Sequence, residues 1–86
     1  MAREWNVRIP IEMPRLGYDM DSGQIASWLK QVGDSVQRGE PIAEVETEKA
    51  TVEFEAMASG ILVEILAQPH TDIPVGAVIA ILDDGS

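Results

Sequence analysis

The chain has no cysteine, so neither a disulfide nor a thiolate metal site can staple the fold, and any redox chemistry has to come from a group attached to the protein. Aromatic residues make up only 5% of its 86 residues, which leaves the core to Val, Ile, Leu, Ala and Met and argues against a deep aromatic-lined pocket. Apolar runs such as Val78 to Leu82 are far too short to span a bilayer, and the first residues lack the charged-then-apolar pattern of a secretory signal. The expectation is a soluble chain. Bases are scarce as well: six against fifteen acids leave a formal charge of −9, which repels phosphate backbones and anionic lipid. Nucleic acid and membrane are therefore not expected as partners. The scarcity is sharpest in the second half, where no Lys or Arg follows Lys49 and the nearest preceding base is Arg38. Lys49 stands alone among Glu44, Glu46, Glu48, Glu53 and Glu55.

Long helical periodicity is also missing. Five prolines and seven glycines punctuate the chain, and no stretch beyond two turns keeps an apolar 3.6-residue period. What is present is an internal repeat. A shift of 37 residues superimposes Ser22-Gly23 on Ser59-Gly60, Gly39 on Gly76 and Ile42-Ala43 on Ile79-Ala80, and apolar positions follow in the same frame. Each half reads as a glycine, an apolar strand, a polar turn, a short strand around Val36 or Ile73, a glycine turn and another apolar strand. Two such halves, each too small to cover its own apolar face, are expected to pack as an all-β sandwich or flattened barrel with pseudo-twofold symmetry. Glu46-Thr47-Glu48-Lys49-Ala50 links the halves and should form a hairpin turn at one end.

The strand patterns differ in clarity. Thr51 to Ala56 alternates cleanly, placing Val52, Phe54 and Ala56 on one face. Gly23 to Val32 and Gly60 to Gln68 carry apolar residues on both parities, which fits either a strand packed on two sides or a β-bulge. The expected core is Ile25, Leu29, Val36, Val45, Val52, Phe54, Leu62, Leu66, Ile73 and Leu82, with Trp28 beside them. His70, the single histidine, lies in a Pro69–Asp72 turn without a nucleophile or second histidine nearby and is expected to be a turn residue.

An exposed lysine at a turn is by default a solvated charge. Here, however, Glu46-Thr47-Glu48-Lys49-Ala50 resembles the E-T-D-K-A signature of lipoyl domains, with Glu48 in place of the commoner Asp. Met13-Pro14, Gly23-x-Ile25-x-x-Trp28, Val32-Gly33-Asp34-x-Val36, Gly39, Gly60 and Val75-Gly76 resemble that family too, so the likeness runs from about residue 9 to residue 82. It implies two four-stranded antiparallel sheets, with residues 8–82 as the carrier domain, 1–7 as an N-terminal segment and 83–86 as the start of a linker.

It also implies lipoic acid in amide linkage to Lys49, flanked by Glu48 and Ala50 as recognition residues. Acyl groups and reducing equivalents would then pass between a thiamine-diphosphate-dependent 2-oxoacid decarboxylase (E1), an acyltransferase core (E2) and dihydrolipoyl dehydrogenase (E3), after modification by a lipoate ligase. Leu16, Gly17, Tyr18, Asp19 and Met20, together with Glu46 and Thr47, are the expected partner-recognition residues, with Tyr18 and Met20 expected to be exposed. The implied location is the cytoplasm, or the mitochondrial matrix in a eukaryote. The domain itself would carry no active site and no metal. Two alternatives stand beside this reading. A biotinyl domain shares the architecture but carries its lysine between methionines, and an unmodified barrel could serve as an adaptor. The glutamates around Lys49 are either the solvent faces of two strands or an acidic collar read by the modifying enzyme.

Overall fold

In the computed structural model, residues 7–16 and 20–84 are described, and they form eight strands with no helix among them. The strands are β1 (Arg8–Glu12), β2 (Ser22–Trp28), β3 (Ser35–Val36), β4 (Pro41–Glu46), β5 (Thr51–Glu55), β6 (Gly60–Ile65), β7 (Ile73–Pro74) and β8 (Val78–Asp83). One sheet has the order β1-β8-β6-β3 and the other β5-β4-β2-β7. Every ladder is antiparallel. Each sheet thus takes strands from both halves of the chain, so neither half can form its sheet alone.

The repeat is reproduced in the pairing itself. Ile25 faces Val45 in β2–β4, and their counterparts Leu62 and Leu82 face each other in β6–β8. All four are fully buried. Backbone conformation follows the same frame, since Gly39 and Gly76 adopt φ of 89° and 95°, a region open to glycine at little cost. Gly33 (φ 99°) is matched by His70 (φ 65°), the one non-glycine residue described there. His70 is exposed and donates its backbone N–H to Ile25 O at 2.9 Å, which makes it a turn residue. The halves differ in one connection. Residues 13–21 join β1 to β2, whereas only residues 56–59 join β5 to β6.

Bulges resolve the strands whose parity was ambiguous. The β2–β4 register slips between Ile25 and Ser27, and the β6–β8 register slips at the equivalent place, between Leu62 and Glu64. A single extra residue flips the side chains that follow to the opposite face. Trp28 and Ile65 therefore turn inward against the core, while Leu29 and Leu66 turn outward and are 44% and 46% exposed. The expectation that Leu29 and Leu66 are core residues is corrected on that ground. Val52 faces the core side opposite Val45, but it sits on edge strand β5 beside the hairpin and remains 37% exposed, so it too leaves the expected core.

Slips at Ile42 and Ile79 bury two consecutive residues on each central strand, Ile42-Ala43 and Ile79-Ala80. Met13, Ile11 and Ala67 complete the core. Trp28 is half-buried, and its indole N–H donates to Ala67 O at 3.1 Å. Phe54, the other aromatic among the described residues, is buried.

The two ends of the barrel are distinct. Gln24 pairs with Glu46 at the β4–β5 hairpin, whereas Trp28 pairs with Ala43 away from it. At that far end Gly33 N–H donates to Leu62 O and Arg38 N–H to Ser59 Oγ, bringing up the start of β6, where Ile61 pairs with Asp83. Val7 and Asp84 are hydrogen-bonded to each other there. The hairpin carrying Lys49 and the ends of the described chain thus lie at opposite ends of the molecule.

Phe54→Ala should cost about 3–5 kcal/mol, a large part of the stability of a domain this small. Leu66→Ala should stay within about 0.5 kcal/mol, as an outward-facing substitution. Denaturant melts of the two variants check the bulge assignment, and equal losses would contradict it. A second outcome concerns Lys30, whose Nζ lies 2.9 Å from Glu40 Oε2. The Lys30 hydrogen bond, followed by one from the Gln37 backbone, holds the Glu40 carboxyl below its ordinary value. A carboxylate with a depressed folded-state pKa stabilises above its unfolded pKa, and that contribution is lost as pH falls through the folded value. Carboxyl-detected NMR titration should show Glu40 titrating low, and Lys30→Met should raise it.

Candidate functional site: the Lys49 hairpin

Strands β4 and β5 pair from Pro41↔Glu55 to Glu46↔Thr51, leaving Thr47 to Ala50 as the link. A tight hairpin link ordinarily uses residues at positive φ, such as Asn-Gly. Glu48 and Lys49 supply neither a glycine nor a positive φ. The turn is closed by a side chain instead. Thr47 N–H donates to Ala50 O at 2.8 Å. In return the Ala50 N–H donates to Thr47 Oγ1 at 3.1 Å, the same oxygen accepts Lys49 N–H at 3.3 Å, and the Thr47 hydroxyl donates to Ala50 O at 2.8 Å. The hydroxyl stands where a backbone carbonyl would otherwise accept the Ala50 N–H.

Lys49 is exposed, and no carboxylate among the described residues forms an ion pair with it. Glu48 and Ala50 on either side are exposed as well. The other lysine, Lys30, is engaged with Glu40 and keeps only 23% side-chain exposure. Chemically, the hairpin offers an exposed primary amine on a backbone fixed by hydrogen bonds. Among the described residues no group of side chains could hold a metal ion.

The glutamates fall on the solvent face of the sheet. Glu44 pairs directly with Glu53, and Pro41 with Glu55, on the face opposite Phe54 and Val45. Ser27 Oγ donates to Glu44 Oε1 at 2.9 Å. Like charges placed directly across a ladder are unfavourable, and the outer face of this sheet is accordingly acidic up to the hairpin.

Beside the hairpin lies a cleft of about 550 Å³ lined by Met20, Asp21, Ser22, Gly23, Gln24, Glu46, Thr47, Glu48, Lys49 and Asp72. It brings together Met20, Glu46, Thr47, Glu48 and Lys49 of the expected site residues. Leu16 is exposed and stands outside the lining, and Gly17, Tyr18 and Asp19 lie outside the described residues.

The expectation that Met20 is exposed is corrected. It is buried at 9% exposure, its Sδ accepts Leu16 N–H at 3.3 Å, and its carbonyl accepts Arg15 Nη1 at 2.7 Å. Its methyl occupies the space a Cβ on Gly23 would need, so glycine at 23 is what lets Met20 fold inward. Thioether flexibility suits this filling of an irregular gap.

Gln24 and Asp72 were not identified from the sequence. Gln24 Nε2 donates to Asp72 Oδ1 at 3.1 Å across 48 positions. That contact depends on β2 pairing with the two-residue strand β7, a partnership too short to leave a pattern.

A profile of the biotin/lipoyl family, described as "Biotin-requiring enzyme", matches residues 9–82. The dihydrolipoyllysine-residue succinyltransferase component of the 2-oxoglutarate dehydrogenase complex of Staphylococcus saprophyticus is 45% identical over 76 residues, covering 88% of this chain and 18% of that protein. Component 3 of the Arabidopsis thaliana mitochondrial pyruvate dehydrogenase complex, a dihydrolipoyllysine-residue acetyltransferase, is 53% identical over 72 residues, covering 83% and 13%. The chain thus spans less than a fifth of these relatives. Among solved structures, the lipoyl domain of the Azotobacter vinelandii 2-oxoglutarate dehydrogenase complex superimposes with a TM-score of 0.72 at 31% identity, covering 91% of this chain and 99% of that one. The match spans both sheets and the hairpin between them, and the chain therefore belongs to the biotin/lipoyl family as a lipoyl domain of the kind found in dihydrolipoyllysine acyltransferase (E2) components.

Proposed function

We propose that Lys49 is the lipoyl attachment point and that the domain serves as the swinging-arm carrier of a 2-oxoacid dehydrogenase complex. The observation that carries this reading is the placement of Lys49: an exposed amine on a hydrogen-bonded hairpin, at the end of the barrel opposite Val7 and Asp84. An amide-linked lipoyl group fits these residues, because attachment needs an accessible amine and no enclosing pocket. It also removes the one positive charge beside Glu46 and Glu48.

In the modification, the Lys49 ammonium gives up one proton to become a nucleophilic amine, Nζ forms an amide bond with the carboxyl carbon of an activated lipoyl donor as the bond to the leaving group breaks, and the second proton leaves Nζ for water or the departing group. The bound group would supply a dithiolane that accepts an acyl group and two electrons. The four-carbon lysine stem adds reach, and its attachment opposite Val7 and Asp84 directs that reach away from that closure of the barrel. Tethering to E2 would raise the local concentration of the arm at each active site of E1, E2 and E3. A lipoate ligase is the proposed modifying partner, and the cleft beside the hairpin is the proposed recognition surface for E1.

Co-expression with a lipoate ligase should add one lipoyl mass to the intact protein. Lys49→Ala should abolish the addition and leave the melting temperature nearly unchanged, since an exposed hairpin side chain contributes little packing. A biotin mass on the parent, or lipoylation of the Ala variant at Lys30, would overturn the assignment.

A further inference from the structure

We infer that Thr47 is a positioning residue for the modification of Lys49: its hydroxyl, beside a single backbone bond, closes the turn that presents the amine. The inference rests on the attachment assignment above and adds what makes that lysine presentable. Three of the four hydrogen bonds recorded inside the link involve Thr47 Oγ1, two as acceptor from Lys49 and Ala50 and one as donor to Ala50 O. The fourth runs from Thr47 N–H to the same Ala50 carbonyl. With Glu48 and Lys49 away from positive φ, the backbone does not adopt the turn types that close a two-residue link by themselves. Thr47 Oγ1 is the one acceptor that the Lys49 and Ala50 amides have among the described residues.

The pseudo-twofold relation supplies an internal control. Shifting Thr47 by 37 residues gives Asp84, and the residue that precedes β1 as Ala50 precedes β5 is Val7. At that end Asp84 N–H donates to Val7 O at 3.0 Å and Val7 N–H donates to Asp84 Oδ1 at 3.1 Å. The same reciprocal pair, a backbone bond plus a side-chain oxygen accepting the return N–H, thus closes both ends of the barrel. At one end it joins two separate stretches of chain. At the other it clasps the two-residue link Glu48-Lys49, with two further bonds, one from the Thr47 hydroxyl to Ala50 O and one from the lysine's own N–H to the clasping oxygen. The clasp belongs to the architecture, and the bond to Lys49 belongs to the hairpin.

A ligase that reads the hairpin backbone meets Lys49 in one geometry when the clasp is closed. An open clasp divides the population and weakens apparent binding by the competent fraction, while the rate from the bound complex is preserved. The role is therefore visible as a split between KM and kcat.

The test compares the parent with Thr47→Val, which keeps the branched shape without the hydroxyl, and Thr47→Ser, which keeps the hydroxyl. Ile79→Val, in the core of the other sheet, controls for loss of stability. Ligase kinetics are measured against domain concentration, and Lys49 and Ala50 amide exchange on unmodified protein. Thr47→Val should raise KM roughly five-fold, the population penalty of one hydrogen bond of ordinary net strength, with kcat little changed and both amides exchanging faster. Thr47→Ser should restore KM and protection, and Ile79→Val should match the parent in both. A Thr47→Val protein with parental KM and amide exchange would overturn the inference, as would a Ser variant as impaired as the Val one. A parent unmodified at Lys49 would overturn both this inference and the attachment assignment, whereas failure of Thr47→Val alone leaves the assignment intact.

Discussion

The interlocking of the two halves is the constraint on which the rest of the structure depends. β1 and β3 of the first half pair into a sheet with β6 and β8 of the second, and β5 and β7 return the exchange with β2 and β4. The apolar faces are thereby covered without disulfides and with no helix among the described residues, aliphatic side chains supplying most of the core beside Phe54 and Trp28. Ile25, Val45, Leu62 and Leu82 meet at matched positions of the two sheets and are completely buried. A chain this short buries a limited fraction of its surface, and the exchange lets both halves share one core.

The location of the reactive amine follows from that exchange. The chain has to pass from β4 to β5 at one end of the barrel, while Val7 and Asp84 meet at the other. Thr47 and Asp84 occupy equivalent places in these two closures, and each lends a side-chain oxygen to a backbone N–H. The Lys49 hairpin and the Val7–Asp84 closure thus occupy opposite ends of the barrel. Glu53 and Glu55 of the acidic face are exposed to solvent, which screens their charge, and Glu44 accepts a hydrogen bond from Ser27.

Much of this was legible in the sequence, for identifiable reasons. The repeat shift of 37 residues is a property of residue identities, and it carried over directly into strand pairing, glycine conformation and the position of the hairpin. Alternation in Thr51 to Ala56 placed Phe54 correctly because β5 has no slip between Ala43↔Phe54 and Glu46↔Thr51. Leu29 and Leu66 were misplaced because a bulge adds one residue and reverses parity, and nothing in the local composition marks Ala26 or Val63 as the extra residue. Met20 was misplaced because its burial depends on the missing side chain at Gly23, a contact between neighbours in space. The E-T-E-K-A signature pointed to Lys49, but the acceptor role of the Thr47 hydroxyl needed the φ values of the two residues it encloses.

Fragmentation of the protein isolated from its native host, with the modified peptide sequenced by tandem mass spectrometry, tests the central claim most directly. The account predicts one lipoyl group on the peptide spanning Glu44 to Glu55, with the mass shift localised to Lys49 and none on Lys30. A peptide unmodified at Lys49, or carrying biotin there, would contradict it.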